Sequence, residues 1–374
     1  MTSQSTAIIK CTQVSVPSAM TSPTQSDPAI SSTSSSATQL SALLRGVGLS
    51  RLENVGWIRV TGGDRVRWLN GMVTNSIQAL TPGEGTYNFL LSVQGRIQGD
   101  ATIFAGTEDL IMETAASRVP SLMALLDRFI IMDDVELADT SADRSGLLVI
   151  GPESPSLLQQ IGLSVDNLDP LSMRTVAWRD AEVSVMHAYS PLVPRYELWA
   201  DAATIAKLYD ALSTAGATSC EQQSLDWLRM LEGTPLYGTD IRDRELPQET
   251  GQTRALHFAK GCYLGQEIVE RIRSRGNVHR TFSGFRVDGK LPVAGTPMEA
   301  DGKQVGELTS IAAIPLPEEL GGPIQLALGY VRREALDRGL PIVYPDGVAL
   351  PISLPFSAAA ASRMLAASET SERV

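Results

Sequence analysis

Between residues 53 and 280, short runs of β-forming residues alternate with amphipathic helical segments. This alternation is expected of an α+β or α/β domain, because each element buries one apolar face against another. After residue 280 the helical segments become scarce, and short strands separated by Gly and Pro turns predict a small closed β domain. The sequence therefore predicts a mixed α and β body followed by a C-terminal β-barrel.

Apolar spacing predicts where the individual elements lie. Helices are predicted over residues 65–73, 120–130 and 204–215, where apolar side chains recur at helical intervals. Strands are predicted over 57–60, 88–92, 101–104, 147–150, 183–187 and 196–200, and in the β domain over 282–287, 305–310 and 327–331.

Both ends of the chain have the composition of flexible segments. Residues 1–46 are rich in Ser, Thr, Pro and Gln and carry few charges, so we predict a disordered tail there, and a second flexible tail over residues 358–374. A mitochondrial targeting peptide is also poor in acidic residues, but it is Arg-rich and amphipathic, which this segment is not. We interpret the N-terminal tail as a dispensable extension.

The charge balance excludes some classes of partner. Lys and Arg number 31 against 42 Asp and Glu, a net charge of −11, which argues against binding nucleic acid or anionic membrane by bulk charge. Apolar runs such as residues 147–150 are far shorter than the roughly 20 residues that cross a bilayer. We therefore expect a soluble monomer with no membrane partner and no direct nucleic-acid partner.

The three cysteines, Cys11, Cys220 and Cys262, form no CxxC pair. An odd number of unpaired thiols suits a reducing compartment, so we expect the cytoplasm or, in a eukaryote, the mitochondrial matrix. The histidines are dispersed along the chain, and a zinc site needs three or four ligands. We predict no metal site within this chain alone. The sequence does not exclude a metal cluster that is shared with a second protein.

Cys262 lies in the densest run of unusual residues, KGCYLGQE at 260–267. Apolar residues then recur at helical spacing, which places the thiol in a turn before a helix N-terminus. The helix dipole, together with Lys260 and Arg271, favours a thiolate there, so Cys262 is the candidate reactive thiol and Lys260 its candidate partner. The alternative is a buried small residue at a turn.

A group of basic residues surrounds this run: Arg254, Lys260, Arg273, Arg275, His279 and Arg280. Such a group suits a phosphate, a polycarboxylate or a nucleic-acid backbone. The alternative is a solvated helix face that answers Glu267 and Glu270.

Three blocks of the sequence together resemble the folate-binding aminomethyltransferase superfamily, whose founder is the T-protein of glycine cleavage. The first is WLNGMVTN at 68–75 with GRI at 95–97 and Asp100; the second is RMLEG at 229–233 with LYGTDI at 236–241 and PQE at 247–249. The third resembles the K-G-C-Y-x-G-Q-E hallmark of the YgfZ subfamily and its mitochondrial iron–sulfur assembly relatives. The residues of this motif are Lys260, Gly261, Cys262, Tyr263, Gly265, Gln266 and Glu267, with Arg271 on the following helix.

The resemblance implies an α+β fold of the aminomethyltransferase (GcvT-like) type, with three subdomains in a ring around a folate cavity and a small C-terminal β-barrel. It places a folate-binding region of two interleaved subdomains at residues 47–278 and the barrel at 279–357. The implied cofactor is tetrahydrofolate or a one-carbon derivative.

The resemblance also implies roles for single residues. Asp100 falls where the superfamily places a carboxylate near the reactive folate nitrogens, and Glu197 falls where a glutamate reads the pterin edge. Arg229 and Tyr237 are the further candidate folate contacts. The alternatives are a turn aspartate for Asp100, a solvent-facing strand residue for Glu197, and a helix-surface residue paired with nearby acids for Arg229.

T-proteins carry two adjacent acidic residues in the Asp100 region, whereas this chain reads Gln98-Gly99-Asp100. General acid–base work at the folate nitrogens would therefore have one carboxylate fewer.

Three functions follow from these observations. The first is a folate-dependent accessory protein for assembly or repair of iron–sulfur enzymes, with those enzymes or assembly proteins as partners and an indirect effect on tRNA modification. The second is a one-carbon transferase of glycine or methylamine catabolism. The third is a non-catalytic scaffold.

Overall fold

The computed structural model describes residues 28–276 and 278–356. The helices in this part of the chain are α1 (Pro28–Arg45), α2 (Arg65–Asn70), α3 (Val119–Asp127), α4 (Ser154–Gln160), α5 (Ala202–Thr214), α6 (Gln222–Glu232), α7 (Gln266–Arg275) and α8 (Arg333–Asp337).

The strands up to the barrel are β1 (Gly48–Arg51), β2 (Val55–Thr61), β3 (Gly85–Leu91), β4 (Ile97–Ala105), β5 (Leu110–Ala115), β6 (Glu136–Asp139), β7 (Ser145–Ile150), β8 (Ser172–Trp178), β9 (Ala181–His187), β10 (Arg195–Ala200) and β11 (Thr218–Ser219). The barrel strands are β12 (Arg280–Gly289), β13 (Pro297–Ala300), β14 (Lys303–Ile314), β15 (Ile324–Arg332), β16 (Val343–Tyr344) and β17 (Gly347–Ile352).

Two sheets interleave along the chain. The first has the strand order β11-β1-β7-β10-β9-β8 and the second has the order β3-β4-β5-β2-β6. Strand β1 belongs to the first sheet and β2 to the second, so the chain leaves the first sheet, completes the second and returns at β7. Pairing is antiparallel throughout except between β1 and β11.

Strand β7 shows why an unbroken apolar run forms a strand here. Leu147 and Val149 lie in a core shared with α5, while Leu148 and Ile150 lie in a second core shared with α1 and α6. Because successive side chains of a strand point to opposite faces, a strand covered on both faces is apolar throughout.

The C-terminal strands close into a barrel of order β12-β15-β14-β13-β16-β17. Its interior contains Phe285, Leu308 and Val331, all fully buried. On its outer face, Leu326 and Leu328 pack in the same cluster as Leu228 and Leu231 of α6. The closed β domain predicted after residue 280 is therefore confirmed, and α6 attaches it to the body.

Helix α1 corrects the prediction of a disordered tail through residue 46. Residues 28–45 are helical, and Leu40 and Leu43 are fully buried against α6. The backbone N–H of Glu221 donates to Oε1 of Gln39 at 2.8 Å. The Ser-rich composition hid two leucines at helical spacing, and that pair is enough to dock a helix when a partner face exists. Residues 1–27 and the predicted tail at 358–374 lie outside the described residues.

Between the two sheets lies a small apolar cluster that fixes their separation. Trp57 of β2 and Trp199 of β10 contact edge to face, with ring centroids 4.9 Å apart, and Phe104 and Met186 complete the cluster. Among the described residues, no helix is both long enough and apolar enough to cross a membrane.

Candidate functional site

A cavity of about 280 Å³ lies beside this cluster, between the two sheets. Strand β4 supplies Asp100, β5 supplies Glu113 and β10 supplies Glu197, while Tyr237 and Arg254 come from the loops that follow α6. It adjoins a second cavity of about 530 Å³, and Asn54, Tyr189, Arg195 and Leu236 line both. Residues far apart in sequence therefore meet around one space.

Asp100 is held by Tyr87, whose hydroxyl donates to Oδ2 at 2.7 Å. Burial raises the pKa of Asp100, and the hydrogen bond from Tyr87 and the charges of Arg254 and Arg118 partly offset that rise. Asp100 is thus a carboxyl group with a raised pKa that lines the cavity.

Arg254 lies between two aromatic rings. Its guanidinium carbon is 4.0 Å from the ring centroid of Tyr87 and 3.7 Å from that of Tyr189. The side-chain amide of Asn75 donates to the Arg254 carbonyl at 2.8 Å and fixes the backbone. A guanidinium held between two rings is a pre-organised cation for an anionic or planar ligand.

Glu197 is buried, at 2 % exposure, so it is not a solvent-facing strand residue. Its Oε1 lies 3.1 Å from the guanidinium of Arg195. Its Oε2 is buried without a hydrogen-bond donor. Glu113 is its neighbour, and the pKa of Glu113 is held well above its ordinary value by burial and by the carboxyl of Glu197.

Tyr237 lines the same cavity and donates its hydroxyl to Asp243 at 2.6 Å. The guanidinium of Arg118 stacks 4.6 Å from the ring centroid and donates to the Tyr237 hydroxyl at 3.2 Å. Burial raises the pKa of Tyr237. Three of the four predicted folate contacts, Asp100, Glu197 and Tyr237, are therefore together.

Arg229, the fourth, lies in the adjoining cavity. Its guanidinium pairs with Asp226 at 2.8 Å and with the fully buried Asp240 at 2.9 Å, and it also donates to the Thr234 carbonyl. Arg229 is committed to carboxylates of its own chain.

Lys260 lies in a separate place, where it fastens the cysteine turn to the segment after α2. Its ammonium donates to the backbone carbonyls of Asn70, Val73 and Asn75 at 2.7, 2.6 and 2.6 Å. Burial lowers the pKa of Lys260 to about 8, so the group is still an ammonium at pH 7. The lysine of the motif is thus engaged by backbone oxygens.

Cys262 is exposed, and α7 begins four residues later at Gln266. The predicted turn before a helix is present, and the alternative of a buried cysteine is not what the structure has. Gly265 closes the turn at φ +82°, where a Cβ would lie 2.6 Å from the Ser92 carbonyl oxygen, so a larger residue does not fit. Gly261, Glu267 and Arg271 are exposed as well.

The predicted basic group does not converge on one site. Arg254 faces the central cavity, Arg280 forms a bidentate pair with Glu249, and Arg273 stacks on Phe258. The side chain of Arg275 lies outside the described part of the structure. No group of three or more His, Cys, Asp or Glu that could hold a metal ion occurs among the described residues.

Several residues of the cavity escape the sequence analysis: Tyr87, Glu113, Tyr189 and Arg195. Glu113 could have been noticed in the sequence, because it is the only charged residue in the strand LIMETA of β5. An acidic side chain inside an apolar strand needs a partner or a ligand.

Comparison with known proteins places this geometry in a family. A model described as the GCVT N-terminal domain matches residues 12–260. The chain is 30% identical over 298 residues to an aminomethyltransferase from Streptomyces avermitilis, covering 75% of this chain and 77% of that protein. An aminomethyltransferase from Geobacillus kaustophilus is 28% identical over 278 residues, covering 70% and 74%.

The fold has a counterpart of known structure. The crystal structure of glycine cleavage system aminomethyltransferase T from Bartonella henselae matches with a TM-score of 0.76 at 19% identity, covering 86% of this chain and 90% of that one. The predicted fold class, the GcvT-like α+β arrangement with a C-terminal barrel, is confirmed.

Proposed function

Since the chain belongs to the aminomethyltransferase family that carries the GCVT N-terminal domain, we propose that its central cavity binds tetrahydrofolate or a one-carbon derivative. The observation that supports this most is the meeting of Asp100, Glu197 and Tyr237 around one space. The three come from separate parts of the sequence, and the fold brings them together.

The donor set of the cavity fits a reduced folate. A pterin edge presents neighbouring N–H groups, and Glu197 has a buried carboxylate oxygen without a donor. Such an acceptor is costly unless a donor satisfies it, and a ligand N–H can supply that donor. Arg254 provides positive charge in the same cavity for the anionic end of the ligand. When bound, the folate carries or accepts a one-carbon unit, and Asp100 is the carboxyl that holds or moves a proton beside it.

We place this folate-binding protein in the maintenance of iron–sulfur enzymes, with an indirect effect on tRNA modification. The supporting observation is the exposed Cys262 in a turn that Lys260 and Gly265 hold in a fixed shape. A thiol that is exposed by a turn of fixed shape can contact a partner protein, either by thiol exchange or by transient ligation of a cluster.

Aminomethyl transfer is the second candidate, favoured by the relatives that bear the name aminomethyltransferase. Against it stands the sequence Gln98-Gly99-Asp100, which leaves one carboxylate in this part of strand β4. An assay of one-carbon transfer from an aminomethyl donor to tetrahydrofolate separates the two, and turnover at ordinary enzymatic rates would decide for the transferase.

Titration calorimetry with tetrahydrofolate tests the ligand. The wild-type chain should bind it, and Glu197→Ala should weaken binding by about 1–3 kcal/mol because a hydrogen-bonded carboxylate is lost. Glu182→Ala, an exposed glutamate on the neighbouring strand β9, is the matched control and should bind as the wild type does. Absence of heat and of competition at high micromolar ligand would remove the folate proposal.

Gene deletion followed by assays of several iron–sulfur enzymes tests the role. Rescue by the wild-type chain and failure of a folded Cys262→Ser chain are expected. Full rescue by Cys262→Ser would leave the protein as a folate-binding scaffold without thiol chemistry.

A further inference from the structure

Glu113 and Glu197 form a carboxyl pair inside the central cavity. Their side chains lie within hydrogen-bonding reach of each other, yet Oε2 of Glu197 has no donor when both groups are ionised. Two carboxylates present only acceptors, so their contact is favourable only if one of them holds a proton. Since both side chains line the same cavity, this contact calls for one proton in the pair.

The surroundings decide which carboxyl keeps that proton. Arg195 contacts Glu197 through Oε1 at 3.1 Å, so the positive charge lies on the Glu197 side of the pair. Around Glu113 stand Asp100 of β4 and the pair of β10, Arg195 and Glu197, while β2 places the uncharged Trp57 opposite it in the sheet. Because Arg195 pairs with Glu197 while Glu113 has two acidic neighbours, Asp100 and Glu197, the proton belongs on Glu113.

We propose that Glu113 is a specificity-determining residue of the cavity, a protonated carboxyl that donates to Glu197 in the free protein and to a ligand carbonyl in the complex. Ligand N–H groups satisfy Glu197, which frees the Glu113 hydroxyl to turn to an acceptor beside them. In the complex, the carboxylate of Glu197 accepts hydrogen bonds, and the hydroxyl of Glu113 beside it donates one. That array matches a heterocycle with a 2-amino-4-oxo edge and mismatches a 2,4-diamino edge, where donor would meet donor.

This inference deepens the folate proposal and rests on it for the ligand, while the shared proton is testable without any ligand. We compare denaturant unfolding of the wild type and of Glu113→Gln between pH 5 and pH 8. The folded wild type retains a proton that an unfolded glutamate, with a pKa near 4.3, releases, so raising the pH should favour unfolding. Relative to Glu113→Gln, the wild-type unfolding constant should grow about tenfold per pH unit until the pair ionises.

Two further variants make this arm decisive. Glu182→Gln, on an exposed site of β9, should keep the wild-type pH slope. Glu113→Leu, which removes the carboxyl altogether, should also flatten it and serves if Glu113→Gln fails to fold. A wild-type slope equal to that of the Glu113 variants would overturn the shared proton.

The second arm measures binding of tetrahydrofolate and of its 2,4-diamino analogue by calorimetry. The wild type should prefer tetrahydrofolate by about tenfold or more, the cost of an unpaired polar contact. Glu113→Gln, which still has an N–H donor, should keep that preference and bind without pH dependence, and Glu113→Leu should lose it. A preference that survives in Glu113→Leu overturns the specificity role. If the wild type binds neither compound, the folate proposal fails, and the unfolding arm still decides the proton.

Discussion

Arg229 shows how a residue with the right charge for a ligand is used by the fold. The sequence block that contains it predicts a folate contact, whereas the structure pairs its guanidinium with Asp226 and the fully buried Asp240. Asp240 also accepts hydrogen bonds from Thr309 and Ser310 of the barrel. A sequence pattern reports charge and spacing, but it does not report which opposite charge the fold will bring closest.

Arg229→Ala should therefore destabilise the protein by about 3 kcal/mol, because it leaves the buried Asp240 without its cation. Denaturant unfolding measures the loss. Arg273→Ala is the control, since its pair with Glu270 is half-exposed and should contribute below about 1 kcal/mol. Loss of tetrahydrofolate binding at unchanged stability would instead return Arg229 to the ligand.

Lys260 presents the same question at the cysteine turn. The motif predicts a cation that stabilises the thiolate of Cys262, and the structure gives its ammonium three backbone carbonyls. Hydrogen bonds to a charged group are stronger than neutral ones, so the lysine tethers the turn to the segment after α2.

Lys260→Met should cost about 2 kcal/mol or more of stability and increase amide hydrogen exchange over residues 256–265. Lys207→Met is the matched control, because that exposed lysine of α5 makes one loose pair with Asp180 at 3.6 Å. Unchanged stability together with slower alkylation of Cys262 would mean that Lys260 acts on the thiol and not on the turn.

At the scale of elements, the spacing of apolar residues predicted helices and strands that have at least one regular apolar face. The helices at 65–73, 120–130 and 204–215 follow from apolar spacing, with ends shifted by a few residues. So do six strands of the two sheets, β2, β3, β4, β7, β9 and β10. Helix α1 did not follow, because its Ser and Thr residues have the composition of a disordered segment and its stability comes from docking on α6. Strand β5 was missed because its outward positions are divided between core and cavity, so that Glu113 interrupts the pattern.

Helix α1 should consequently be part of the cooperative fold. Leu43→Ala should cost about 3 kcal/mol, since the side chain is fully buried and lies over Gly48 of β1, where a Cβ would come within 2.3 Å of Leu43. Thermal or denaturant unfolding gives the value. Arg45→Ala, two residues on, removes an exposed pair with Glu319 and should cost below about 1 kcal/mol. Equal effects of the two substitutions would mean that α1 is not docked in solution.

At the scale of the whole molecule, the cavity exists because three parts of the chain are held together. The sheets contribute Asp100, Glu113 and Glu197, and loops between α6 and the barrel contribute Tyr237 and Arg254. The family resemblance indicated Asp100, Glu197 and Tyr237 one at a time, but their meeting depends on the interleaved sheets, which no local pattern encodes. The barrel holds these loops by side-chain contacts. Thr309 donates a hydrogen bond to Asp240, and Arg280 forms a bidentate pair with Glu249.

We therefore expect the body and the barrel to unfold as one unit. The five tryptophans all precede the barrel, so their fluorescence reports on the body alone, and amide hydrogen exchange of β14 and β15 reports on the barrel. In the wild type the two probes should give coincident transitions, because Leu326 and Leu328 of the barrel share one apolar cluster with α6. Leu328→Ala should separate the two transitions by weakening the contact between the barrel and α6.

Leu308→Ala is the matched control. It truncates the barrel interior by the same number of atoms, and it should lower stability by about 2–5 kcal/mol while the transitions stay coincident. Separate transitions in the wild type would show that the barrel is an independent domain, and the loops carrying Tyr237 and Arg254 would then need another support.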